Sequence, residues 1–225
     1  MDRGDGIIRW SPSKDRDEFF TLELTYHIIQ RYKAVGHALP ERFDYQPISK
    51  HNDFQSVSAI DWSPKISGLV AVGGKGGEVQ LLRIDDDSND YITLPLKLQR
   101  NCQALSFNTT GLLAVGLDRV RNDQCLQIWD IDQRLSKWDP SKKGWQSSPT
   151  ASIDPVYKLE PSVSVTSVKF WKDQPQTLVV GIKNQSLRIH DLRGAFPIPP
   201  SFSCSSDATT RPTRCCYNVS NTLQQ

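Results

Sequence analysis

Leu112-Leu-Ala-Val-Gly-Leu-Asp-Arg119, followed after six residues by Leu126-Gln-Ile-Trp-Asp-Ile131, joins a continuous apolar run to a second run built around a Trp-Asp pair. A short run with apolar groups on both faces is what a strand buried between neighbouring sheets requires. The glycine directly after Val115 suits a tight exit with little room for a side chain. Upstream, Cys102-Gln-Ala-Leu105-Ser-Phe107 alternates, as a strand with one core face does.

This three-strand unit recurs. Val57-Ser-Ala-Ile60-Asp-Trp62 leads to Leu69-Val-Ala-Val72-Gly73 and then to Val79-Gln-Leu-Leu82-Arg-Ile84. Val165-Thr-Ser-Val168-Lys-Phe170 leads to Thr177-Leu-Val-Val180-Gly181 and then to Leu187-Arg-Ile-His190-Asp191-Leu192. The turns Gly74-Lys-Gly-Gly77 and Lys183-Asn184-Gln185 supply residues that tolerate positive φ. A weaker fourth copy opens the chain, where Ile7-Ile-Arg-Trp10-Ser-Pro12 echoes Ile60-Asp-Trp62-Ser-Pro64 and precedes the strand-like Phe19-Phe-Thr-Leu-Glu-Leu24. Trp62 and Phe107 stand 45 residues apart, close to the period of one four-stranded propeller blade. The interval from Phe107 to Phe170 is 63, and the surplus falls in a Ser-, Pro- and Lys-rich insertion at about 132–161, in the outer part of a blade or the loop after it.

The fold class read from this pattern is all-β, a partial WD40-type β-propeller of about four blades that does not close. A β-sandwich or jelly roll also has short strands, but neither repeats a strand triplet at this period. Only Tyr26 to Ala38 admits a helical reading, and a strand with its outer loop fits that segment equally. Residues 1–194 form the blades and 195–225 an unrelated, disordered tail, because after Ala195 the alternation stops and three of the five cysteines gather. That shift predicts a truncated chain, since propellers take typically four to eight blades to leave no open edge.

Charge excludes some partners. Twenty-seven basic against 25 acidic residues give +2, so there is no strong field to hold nucleic acid or an anionic membrane. No apolar stretch spans a bilayer and the charged start does not read as a signal peptide, which predicts a cytoplasmic chain with Cys102 and Cys125 as buried thiols.

Sites for chemistry are sparse. Without a Cys-x-x-Cys, Cys204, Cys215 and Cys216 would need a distant ligand such as His190 to hold zinc, and His190 reads better as a blade-packing residue in the Trp position of its strand. No Gly-x-Ser-x-Gly elbow occurs. Gly73-Gly-Lys-Gly-Gly77 lacks the Lys-Ser/Thr ending of a phosphate loop, so it reads as a hairpin turn. Asp85-Asp86-Asp87 cannot surround an ion and reads as a solvated loop. Asp118 and Asp130 are given structural roles, as an acceptor of turn amides and at a strand end. Lys137, Lys142 and Lys143 with Trp138 and Trp145 form either a contact surface or a mobile loop. No catalytic, cofactor-binding or metal residue is assigned, and no enzyme activity is predicted.

The apolar run, Gly-Leu-Asp-basic turn and Trp-Asp-Ile strand over Leu112–Arg119 and Leu126–Ile131 resemble the N-terminal propeller of the Mio family of WD-repeat proteins, subunits of the SEA and GATOR complexes. Trp62, Leu69–Gly73, Leu187–Arg193 and Ile8–Pro12 extend the similarity to about residues 7–194. The resemblance implies a non-catalytic scaffold binding other protein subunits in a complex that regulates TORC1 signalling in response to amino acids. It also implies a peripheral place at the vacuole or lysosome membrane, reached only indirectly through the complex. Family members continue into a helical solenoid and a zinc module that this chain lacks, which puts assembly into the complex in doubt. A generic WD-repeat adaptor, such as a ubiquitin-ligase substrate receptor, and a phosphoinositide-binding propeller are the competing readings. The latter calls for an Arg-Arg pair between strands, which is absent.

Overall fold

The computed structural model describes residues 6–13, 16–23, 28–39, 42–52, 54, 56–85, 91–94, 96–121, 123–135, 154–183 and 187–194. The first sheet consists of β1 (Gly6–Trp10), β2 (Glu18–Glu23), β3 (Ile28–Leu39) and β4 (Arg42–His51). The second holds β5 (Val57–Trp62), β6 (Leu69–Gly74), β7 (Val79–Arg83) and β8 (Tyr91–Leu94). The third holds β9 (Cys102–Phe107), β10 (Leu112–Leu117), β11 (Gln124–Asp130) and β12 (Tyr157–Pro161), with the short helix α1 (Ile131–Leu135) after β11. The fourth has three strands, β13 (Val165–Phe170), β14 (Thr177–Ile182) and β15 (Leu187–Asp191). Every sheet is an antiparallel meander in chain order, and among the described residues no strand joins the fourth sheet to the first. The partial, unclosed propeller of four blades is therefore the observed architecture.

One backbone hydrogen bond repeats in all four sheets, including the one whose sequence signature is weak. The amide after each first strand donates to the second strand's side of the turn: Ser11 to Glu18 O, Ser63 to Leu69 O, Asn108 to Leu112 O and Trp171 to Thr177 O, all at 2.8–2.9 Å. The third strands end one residue before the expected Ile84, Ile131 and Leu192. The amides of these residues turn onto the carbonyls of Gly68, Gly111 and Gln176. Gly77 takes φ +88° in the expected hairpin, where an added Cβ would meet the Arg100 carbonyl oxygen at 2.4 Å.

The continuous apolar runs have a direct explanation. Alternate residues of one second strand enter opposite seams: Val70 and Val72 pack with Phe20, Leu22, Ile29 and Trp62 of the first seam. Leu69 and Ala71 face Leu105, Phe107, Leu113 and Trp129 in the second. β10 divides in the same way, with Leu113 and Val115 in the second seam and Ala114 in the third, beside Leu126, Val165, Phe170 and Val180. Each fully buried large apolar side chain stabilises the stack by about 1.5–3 kcal/mol.

The structure resolves two readings left open by the sequence. Tyr26 to Ala38, open between helix and strand, is strand from Ile28 onward. The span 132–161 begins in α1 and ends on β12, so it supplies the outer strand of the third sheet. The tail 195–225 with its three cysteines, and the residues Lys137, Trp138, Lys142, Lys143 and Trp145, lie outside the described residues.

Cys102 and Cys125 are free and buried, as anticipated. Burial in the second seam pushes the Cys102 thiol up to about 12. Alkylation of the native chain at about pH 8 is accordingly expected to leave Cys102 unmodified, with full labelling only after denaturation. Peptide mapping by mass spectrometry reads the result, and rapid native labelling would contradict the packing described.

Candidate functional site

The first strands β5, β9 and β13 lie side by side and form the inner wall. Their polar residues recur at matched positions. The residue before each aromatic anchor reaches the next sheet: Asp61 Oδ2 accepts the Phe107 amide at 2.7 Å, and Ser106 Oγ accepts the Phe170 amide at 3.3 Å. One position after each strand's start, Ser58 Oγ donates to Cys102 O at 2.6 Å, and Thr166 Oγ1 donates to Gly181 O at 3.2 Å. In the third sheet Gln103 Nε2 donates to Asp118 Oδ1 at 3.0 Å, so Asp118 serves a side-chain amide where turn amides were expected. The Asp61, Ser106 and Ser58 bonds join neighbouring sheets, while those of Thr166 and Gln103 stay within their own.

Lys169 extends the pattern differently. Its Nζ lies 3.7 Å from Asp61 Oδ1 and links the fourth sheet to the second. Burial raises the Asp61 pKa, against the opposing pull of Lys169 and the Phe107 amide. A carboxyl raised in the folded state favours folding below its unfolded pKa, and that contribution is lost as pH rises through the folded value. Asp61→Asn keeps an acceptor for Phe107 without that loss. Its Tm relative to the unsubstituted chain is expected to improve as pH rises from about 3 to 7. A pH-independent difference in differential scanning fluorimetry would contradict the assignment.

Ion pairs clamp the sheets nearer the rim. Asp85, read from sequence as part of a solvated acidic loop, instead receives Arg31, Arg16 at 3.2 Å and the Ser67 hydroxyl at 3.1 Å, tying the first sheet to the second. Burial of Arg31 beside it explains the difference, because a buried guanidinium requires a carboxylate partner. Asp86 and Asp87 lie outside the described residues. Glu160 on β12 is buried and pairs with Arg188 and with His190 Nε2, the latter at 2.6 Å, which joins the third sheet to the fourth. His190 thus holds neighbouring blades together through a polar contact, a role the apolar pattern did not signal. Among the described residues no group of three or more His, Cys, Asp or Glu could hold a metal ion.

Two apolar faces remain uncovered among the described residues. On β15, Leu187 and Ile189 are 49% and 48% exposed. On the first sheet, Trp10, Phe19, Tyr32 and Tyr45 form a row across all four strands, with ring centroids 5.1–5.3 Å apart at successive steps; Trp10 and Tyr45 at its ends are exposed, while Phe19 is buried. Trp10 occupies the anchor position that Trp62, Phe107 and Phe170 fill in the other sheets, yet it is exposed. Exposed aromatic surface of this kind suits binding to another protein rather than turnover of a small substrate.

No protein-family model matches the chain. Among curated proteins it is 29% identical, over 95% of its length, to SEH-associated protein 4 of Saccharomyces cerevisiae. It is 24% identical over 83% to the GATOR2 complex protein Mio of Drosophila melanogaster, and 29% over 83% to the GATOR2 complex protein MIOS-A of Xenopus laevis. It covers 23%, 20% and 24% of those proteins, so the chain spans about a fifth to a quarter of their length. In structure it is similar to a chain of the COPII outer coat vertex on membranes, at a TM-score of 0.59 and 15% identity, covering 84% of this chain and 47% of that one. The Raptor structure from Chaetomium thermophilum gives a TM-score of 0.60 at 14% identity, over 86% of this chain and 16% of that one. At such identities the structural likeness bears on the fold alone.

Proposed function

Because the chain belongs to the Mio family of WD-repeat proteins, we propose that it acts as a non-catalytic scaffold subunit of a SEA/GATOR2-type complex. The single observation that carries this reading is similarity over 83–95% of the chain to proteins named as members of such assemblies. The seams are consistent with it: their polar groups are spent on joining sheets, while apolar surface stays open on the first and fourth sheets.

In the finer form of the proposal, the complex relays amino-acid availability to the TORC1 kinase pathway. The chain is then cytoplasmic and reaches the vacuole or lysosome membrane only through its protein partners. Nucleic acid is not among them, in keeping with the near-neutral charge.

Affinity purification of the tagged 225-residue chain tests the reading. Subunits of the SEA/GATOR2-type complex are expected in the eluate, and cells depleted of the gene product are expected to recover TORC1 signalling more slowly on amino-acid refeeding. Recovery of a cullin-type ligase in place of those subunits would favour the adaptor reading and overturn this one.

A further inference from the structure

Ser-Pro pairs follow the first strand in two of the four sheets, Ser11-Pro12 after β1 and Ser63-Pro64 after β5. Their surroundings differ. Ser63 is buried, and its Oγ accepts the Ile66 amide at 3.1 Å, so that hydroxyl belongs to the turn. Ser11 is only partly buried, on a seven-residue loop between β1 and β2 where Pro12, Ser13, Arg16 and Asp17 are exposed. Its Oγ accepts one bond, from the Ser13 amide at 3.2 Å.

The sequences around them differ too. Ser11 is followed by Pro12 and, at the third place, by Lys14, the pattern that proline-directed kinases read in an accessible loop. Ser63 has Ile66 at that place, and Ser148-Pro149 has Ala151.

Beside Ser11 a cleft of about 360 Å³ separates the first and second sheets, lined by Ser11, Ser13 and Arg16 on one side and Ser63, Lys65 and Ser67 on the other. Arg16 already meets Asp85 and Lys65 meets Asp132, but both cations are 39–40% exposed, where such pairs contribute little. Asp85 also keeps Arg31. A phosphate group carries about −1.5 to −2 charges and three acceptor oxygens, so it competes well for both cations.

We propose that Ser11 is a phosphoacceptor for a proline-directed kinase and that its phosphate seats in this cleft against Arg16 and Lys65, bridging the first two sheets. In the transfer, Ser11 Oγ bonds to the γ-phosphorus of ATP and the bond to the ADP oxygen breaks. ADP leaves, and the hydroxyl proton passes to the kinase's carboxylate base. The inference stands apart from membership of any complex.

The test incubates the purified 225-residue chain with Mg-ATP and a cyclin-dependent kinase, quantifies phosphopeptides and measures Tm. Ser11 is expected to carry more than about tenfold the phosphate of Ser63, which reacts only through local opening. Phosphorylation is expected to raise Tm by about 2–4 °C, and Arg16→Gln with Lys65→Gln to abolish the rise. Absent labelling at Ser11, or equal labelling at Ser63, would overturn the phosphoacceptor. A phosphorylated Ser11 with an unchanged or lowered Tm, or a rise that survives the double substitution, would overturn the seat.

Discussion

Alanine in place of Trp129 is expected to lower the unfolding free energy by about 3–5 kcal/mol, while phenylalanine there costs roughly half as much or less. Trp129 is 1% exposed and lies in the second seam with Leu105, Phe107, Leu113 and Ile131, so truncation leaves a cavity between two sheets that pair only through side chains. Its indole N–H finds no acceptor among the described residues. A buried donor without a partner costs about 1–3 kcal/mol, and phenylalanine removes that donor while keeping most of the apolar bulk. Urea unfolding followed by circular dichroism measures both variants. Equal losses for alanine and phenylalanine would mean that the indole nitrogen is satisfied and that the seam tolerates the void.

Gly116→Ala is the second large effect, about 1–3 kcal/mol for a single methyl group. The added Cβ would stand 2.6 Å from Val165 Cγ1, and Val165 is β-branched and fully buried at the start of the next sheet, so it cannot rotate aside cheaply. Val165→Ala alone costs about 2 kcal/mol through lost burial. Combined, the two substitutions are expected to cost less than the sum of the single effects by about 0.5–3 kcal/mol, because each relieves the other's error. Strict additivity in the double-mutant cycle would show that Gly116 is present for another reason. The same geometry occurs one seam earlier, where a Cβ on Gly73 would meet Cys102 Sγ at 2.4 Å.

Those glycines mark what the sequence made legible. Central strands such as Leu69–Gly73 and Leu112–Gly116 have both faces in apolar seams, and Thr177–Gly181 repeats the run with one face in a seam, so all three advertise themselves by composition alone. The outer strands β4, β8 and β12 escaped notice for a physical reason. β8 has four residues that alternate exposed and buried, and β4 is mostly exposed. The register of β3 against β4 also slips at three places, which breaks the period that pattern reading depends on. The clamps Glu160–Arg188–His190 and Arg31–Asp85 were invisible too, since each joins residues 28 or more apart across different sheets. Asp85 shows the trap: beside two further aspartates it reads as solvated, and only its position opposite a buried arginine reveals its role.

The seams also determine how disturbance travels. Each sheet exchanges apolar contacts with its immediate neighbours, and Asp61–Lys169 is the one ion pair described that skips a sheet. Such a stack behaves as a row of coupled units with nearest-neighbour terms. Damage at one junction loosens the two members that share it, and its influence decays along the row, since Lys169 is 72% exposed and its pair adds little coupling across the axis.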